Sequence, residues 1–170
     1  MHRQRGAAAL EFALVVVAFT ALLAGVTELG RYLYLWNTVQ EVTRTAARTA
    51  AVRSFTSAPV DEIQREAVFH AGEGGTVSLP GGQQVTSAHV SIRYLNANWE
   101  SAEPLPDSGY DNFAACITES RTDSCIKYVQ AQVCQGGGDD CAPVEFESLF
   151  GVTIRIPVST VTMPAESLGM

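Results

Sequence analysis

The chain has 170 residues, with 18 Asp and Glu against 11 Lys and Arg, a formal charge of −7. Such an acidic balance repels a phosphate backbone and excludes nucleic-acid binding as the main role. Once the apolar N-terminal stretch is set aside, the remainder is long enough for one small domain with a modest core.

Arg3 and Arg5 precede Gly6-Ala7-Ala8-Ala9-Leu10-Glu11-Phe12, and the sequence then runs apolar to Val26 with Thr20 as its one polar interruption. Ala7 to Val26 supplies about the 20 residues that an α-helix needs to cross hydrocarbon, so one span is expected, its membrane part assigned to residues 7–30. A secretory signal is cut after its apolar run, at small residues, and the run is lost. In this chain the small residues, Gly6 to Ala9, come first, so a cut there removes residues 1–6 as a leader and keeps the helix. Basic residues before the span and an acidic portion after it predict a single-pass protein of the cytoplasmic membrane, with its N-terminus inside and its domain outside.

Past Gly30 the pattern becomes amphipathic. Leu35, Val39, Val42, Ala46 and Ala50 recur at steps of four, three, four and four, with Asn37, Gln40, Glu41, Arg44 and Arg48 opposite. That period predicts a helix with one face to bury. No proline intervenes before Pro59, so the helix is expected to continue over residues 31–53 and to reach on the order of 70 Å. Glu28, Gly30 and Arg31 mark the expected membrane exit: Glu28 and Arg31 stand three apart and can pair, and Tyr32, Tyr34 and Trp36 would form an aromatic belt. Gly30, which costs up to about 1 kcal/mol relative to alanine in a helix interior, is where a bend would fall.

Residues 54–170 form the expected outer domain. Pro59 to His70 predicts a short helix, with Asp61 and Glu62 near its start, Ile63 and Ala67 on one face and Gly72 as its stop. Thr76 to Leu79 and Val85 to Tyr94 predict strands around the turn Pro80-Gly81-Gly82. Asn96 to Asn112, with Pro104, Pro106 and Gly109, has the composition of a loop. Ile126 to Cys134 predicts a strand with Val129, Ala131 and Val133 alternating, followed by Val144 to Phe146 and by Val152 to Met163, where Ile154, Ile156 and Val158 share a face. A helix followed by strands on short turns implies α+β with an antiparallel sheet, against which the Leu35 to Ala50 face packs.

Cys116, Cys125, Cys134 and Cys141 are spaced C-x8-C-x8-C-x6-C, without the C-x-x-C pairs of a structural zinc site, and His70 and His89 are distant. In an oxidising compartment disulfides are the expectation. Three connectivities are possible. The most local, Cys116 with Cys125 and Cys134 with Cys141, is preferred because the second pair closes the turn Gln135 to Asp140, but spacing alone leaves the others open. No catalytic motif is present: His70 and His89 stand alone, and Asp107, Asp111, Asp139 and Asp140 do not follow calcium-loop spacing. Neither cofactor, metal nor enzymatic activity is expected.

The stretch Arg5 to Ala13, together with Glu28-Leu29-Gly30-Arg31, Tyr32, Tyr34, Gln40 and Ala46-Ala47-Arg48, resembles the TadE-like pseudopilins, minor pilins of the tight-adherence (Flp) branch of the type IV pilus system. Val158 to Glu166 is similar to that family's last strand. Ala7, where pseudopilins of type II secretion usually have phenylalanine, fits the same branch. The resemblance implies a pilin-like fold, a long helix packed on a small antiparallel sheet. It also implies cleavage between Gly6 and Ala7 by a membrane-embedded aspartic prepilin peptidase. The further partners it implies are other pilin or pseudopilin subunits and the assembly machinery, with lipid along the N-terminal helix. Glu11, followed by Phe12, would then be the fifth residue of the mature chain, placed to neutralise the new amino group of a neighbouring subunit. A helix N-terminus by itself favours an acid by about 0.3–1 kcal/mol, which also accounts for Glu11. The competing function is a permanently anchored extracytoplasmic receptor or adhesion protein whose helix is never cut.

Overall fold

The computed structural model describes residues 3–55, 60–70, 74–136 and 140–168, with side chains from Gly6 onward. Its first element, α1 (Arg3–Val52), is one helix of 50 residues, about 75 Å long at 1.5 Å per residue. It runs through Gly30 without interruption. Several of its threonine hydroxyls are absorbed by its own backbone: Thr20 donates to the Val16 carbonyl (2.9 Å), Thr38 to Tyr34 (2.7 Å) and the buried Thr43 to Val39 (2.7 Å). These three threonines therefore sit in an apolar helix with their hydroxyls hydrogen-bonded.

Burial divides α1 in two. Leu35, Val39, Val42, Ala46, Ala47 and Ala50 are each at most 1% exposed, whereas Gly6 to Thr27 is exposed almost throughout. The buried stripe packs on β4 (Tyr128–Val133) and β7 (Ser159–Pro164). These strands form a three-stranded antiparallel sheet in the order β3-β4-β7, with β3 (Val90–Leu95) at its other edge. The register runs from Val90 opposite Val133 to Leu95 opposite Tyr128, and from Tyr128 opposite Pro164 to Val133 opposite Ser159. Val129, Ala131 and Val133 point to the helix, as their alternation predicts. Two hairpins flank this sheet, β1 (Ser78–Leu79) with β2 (Gly82–Thr86) and β5 (Val144–Glu147) with β6 (Thr153–Ile156). The fold is α+β, a long N-terminal helix on small antiparallel sheets, three where one was expected.

Several boundaries differ from expectation for identifiable reasons. The strand Val85 to Tyr94 is interrupted by a 3-10 turn at Ser87–His89, where the Thr86 amide donates to His89 Nδ1 at 3.0 Å. The strand Val152 to Met163 divides at Pro157, which has no amide to give a ladder, so β6 pairs with β5 and β7 with β4. The expected loop Asn96 to Asn112 ends early in α3 (Gly109–Ile117), which begins where Ser108 Oγ accepts the Asp111 amide at 3.0 Å. Asn112 then lies inside the fold, donating to the Ile126 carbonyl (3.2 Å) and accepting the Ile126 amide (2.7 Å). The helix expected from Pro59 to His70 is α2 (Val60–Ala67), which buries Ile63 and Ala67. Pro59 and Gly72 lie outside the described residues.

Cys116 is bonded to Cys125 and Cys134 to Cys141. The first bridge ties α3 to the chain entering β4, and the second closes the turn between β4 and β5, whose Gly137, Gly138 and Asp139 lie outside the described residues. Asp111 is held by a two-pronged pair with Arg121 at 2.9 and 2.9 Å. That hydrogen bond, with the Asp107 amide second, holds the Asp111 carboxyl below the usual carboxylate range.

Two stability predictions follow from this packing. A Cβ added at Gly82 would overlap Leu35 Cδ2, so Gly82→Ala is expected to cost about 1–3 kcal/mol. A near-UV dichroism melt of the detergent-solubilised protein reads this as a lower melting temperature; an unchanged melt would mean that β2 does not lie against α1. Burial also holds His89 below its ordinary pKa of 6.5, and only the neutral ring can accept the Thr86 amide. With the folded pKa below the unfolded one, the unfolded chain takes up the proton first as pH falls. The His89 contribution is therefore full above 6.5 and lost as pH falls from there to the folded pKa. Melting temperature is expected to drop over that acid interval, and to drop less in His89→Gln.

Candidate functional site

The threshold residues Gly6, Ala7, Glu11 and Phe12 lie on the exposed first turns of α1. A Cβ at Gly6 would meet no atom within 4 Å, so no contact within the fold demands glycine there. Phe12 is 71% exposed. Glu11 is exposed as well, and among the described residues it has no ion-pair partner. The side chains of Arg3 and Arg5 lie outside the described residues.

Beyond these turns the helix is apolar on all sides. Its most apolar stretch has a mean hydropathy of 2.3, with none of it buried by the rest of the chain. A helix hydrophobic all round is stable only when surrounded by lipid or by other apolar helices. Among the described residues there is thus one candidate membrane-spanning helix, consistent with membrane anchoring. Chemically this surface can insert and pack, and from Gly6 to Thr27 its one ionisable side chain is Glu11.

At the upper end of the bare stretch the structure brings Glu28 and Arg31 together. Glu28 is 7% exposed and its Oε1 accepts from Arg31 at 2.6 Å. The guanidinium in turn lies 5.3 Å from the ring centre of Phe146 on β5, a cation–π contact. Phe146 is fully buried and meets Tyr32 edge-on at 5.9 Å, while Tyr32 meets Trp36 edge-on at 5.7 Å. The Tyr34 hydroxyl donates to the Pro80 carbonyl in the β1–β2 turn at 2.8 Å. Two of the three residues expected as an aromatic belt therefore fasten α1 to its flanking hairpins. Gly30 itself borders open space, with nothing within 4 Å of an added Cβ.

The threshold and the exit are thus separated by the bare stretch of α1, and the fold does not bring them together. The Cys116–Cys125 bridge sits farther away still, next to Ile126, which packs with Ala50 and Ala51 at the far end of the helix. One surface element was not legible beforehand: Leu149 and Phe150, in the β5–β6 turn, are 77% and 58% exposed. The available signal was two large apolar residues directly before Gly151, between short alternating strands.

Residues 6–48, all within α1, match the TadE-like protein family. This segment suggests a protein associated with the tight-adherence pilus. No curated relative and no solved structure matches the chain.

Glu28 is buried, and its Oε1 accepts from Arg31. Arg31→Ala is expected to cost about 1–3 kcal/mol by leaving a buried acceptor unpaired. Adding Glu28→Ala to that variant should return much of the loss, as read by a double-substitution cycle of thermal melts. Additive losses would contradict the pairing.

Proposed function

We propose, from the TadE-like segment at residues 6–48, that this chain is a minor pilin or pseudopilin of a tight-adherence pilus, a non-catalytic structural or assembly subunit. The observation that carries the reading is an apolar stem left wholly bare by its own domain yet continuous with a helix that the domain grips tightly. Such a stem can pass from lipid to a bundle of like helices with no refolding of the domain. A prepilin peptidase removes residues 1–6, leaving Ala7 with a free amino group that carries positive charge near neutrality. Glu11 stands four residues on, one helical turn from that amine.

A carboxylate at mid-membrane costs roughly 2.5–3.5 kcal/mol on insertion scales and is cheaper near a boundary. In a packed bundle the Glu11 of one subunit meets the Ala7 amine of its neighbour, so each charge removes the other's penalty. Arg3 and Arg5 keep the N-terminus cytoplasmic until cleavage, and the domain with its two disulfides stands outside, where oxidation maintains them. Its partners are the peptidase, other pilin subunits and the assembly machinery.

N-terminal sequencing and intact mass after co-expression with a prepilin peptidase test the processing. The mature chain is expected to begin at Ala7, and Gly6→Ala to retain the leader with an unchanged domain melt, since the added methyl meets nothing. A mature chain still beginning at Met1 would instead identify a permanently anchored receptor or adhesion protein. Glu11→Ala is expected to be cleaved normally and to be lost from the pilus fraction. Intact assembly of that variant would contradict charge neutralisation.

A further inference from the structure

The β5–β6 turn is tightly built and wrongly dressed for water. The Ser148 amide donates to the Val152 carbonyl and the Gly151 amide to the Ser148 carbonyl, both at 3.0 Å, and the Phe150 amide donates to Ser148 Oγ at 3.1 Å. Gly151 closes the turn at φ +71°, the left-handed residue of a three-residue hairpin loop. The central positions of such turns ordinarily hold Asp, Asn, Ser or Gly. This one holds Leu149 and Phe150, 77% and 58% exposed, with Val152 beside them at 56%. A local rule broken in an ordered element points to use.

The hairpin also has a direction. Val144 pairs with Ile156, which lies in a groove with Trp36, Val39 and Gln40. Two residues further along β5, Phe146 lies against Tyr32 and Arg31. Each step toward the turn therefore moves toward the N-terminus of α1. Leu149 and Phe150 lie three and four residues beyond Phe146, roughly 10 Å at about 3.3 Å per residue. On α1, roughly 10 Å is about six or seven residues, which places the tip level with Gly25 and Val26. That is just inside the expected exit of the span at Glu28 to Arg31, and there α1 itself is bare, Val26 being 70% and Leu29 58% exposed.

We infer that the Leu149-Phe150 turn is a second membrane contact, inserted at the boundary between headgroups and acyl chains beside α1. The inference rests on α1 crossing the membrane. The occupant is lipid because the patch stands level with the bare apolar stem and its most exposed apolar residues, Leu149, Phe150 and Val152, are at the tip. Glu145, paired with Arg155 at 3.8 Å, and the exposed Glu147 flank it higher on the strands. These charges stay among the headgroups and limit insertion to the turn. With two contacts the domain is held at a fixed tilt and rotation about α1, and leaving the bilayer for a filament requires the turn to let go.

The test uses the full chain in vesicles of phosphatidylcholine and phosphatidylglycerol carrying brominated acyl chains. In a Trp36→Phe/Trp99→Phe background, single reporters are placed by Phe150→Trp, by Leu22→Trp on the span and by Tyr110→Trp on α3. The same reporters in the chain that keeps Trp36 and Trp99, read as added quenching, serve if the double substitution does not fold. The Phe150 reporter is expected to emit blue-shifted light and to lose most of it to bromines placed high on the chains, with Leu22 quenched and Tyr110 not. A Phe150 reporter that emits as in water, or is blue-shifted but unquenched, overturns the inference while a quenched Leu22 reporter leaves the anchor standing. An unquenched Leu22 reporter would instead overturn the membrane span on which the inference rests.

Discussion

The close seat of Leu35, Val39, Val42, Ala46 and Ala50 against β4 and β7 is the contact on which the rest of the architecture depends. Three of the residues in and beside this stripe are alanines, Ala46, Ala47 and Ala50, all fully buried, so the helix can approach the sheet without a thick layer of side chains between them. Because α1 is one unbroken helix, gripping its upper half fixes where its lower half points. The upper end is tied by the C-terminal chain, where the Glu166 amide donates to Ala51 at 3.2 Å and Ser167 donates to Val52 at 3.1 Å. Arg53 adds an ion pair with Glu66 at 2.8 Å. Lower down, Tyr34 on Pro80 and Tyr32 on Phe146 do the same work.

This grip lets one helix serve two solvents. Above the exit, α1 is a one-sided helix, with the sheet covering its apolar face. Below it, the apolar surface goes all the way round and its own domain covers none of the most apolar stretch. The transition falls at Glu28 and Arg31, a pair that lets charge sit at the boundary because each group is met by the other and the guanidinium by Phe146. A domain so attached transmits any movement of the stem directly, as the proposed pilin role requires.

What could be read in advance was what depends on near neighbours in sequence. The helical stripe showed itself by its period and the β4 core residues by alternation. The preferred disulfides also followed from proximity along the chain. What stayed hidden depends on distant partners or on a single atom. The break at Ser87–His89 is held by an imidazole nitrogen accepting one amide, and α3 emerges from a proline- and glycine-rich segment because Ser108 caps it and Asn112 reaches across to Ile126. Pro157 was visible, but its consequence, two strands sent to two different sheets, was not. Likewise, nothing local indicated that Tyr34 would reach the turn at Pro80, or that Leu149 and Phe150 would stand bare at the tip of the β5–β6 hairpin.

Hydrogen exchange of the full chain in lipid nanodiscs tests most directly whether stem and domain are one continuous helix. If α1 is unbroken, amides from Leu22 through Val42 should all exchange slowly, including those at Gly30 and Arg31, where the membrane exit is proposed. A window of fast exchange between Thr27 and Tyr32, flanked by protected segments, would show a hinge between anchor and domain and contradict the account.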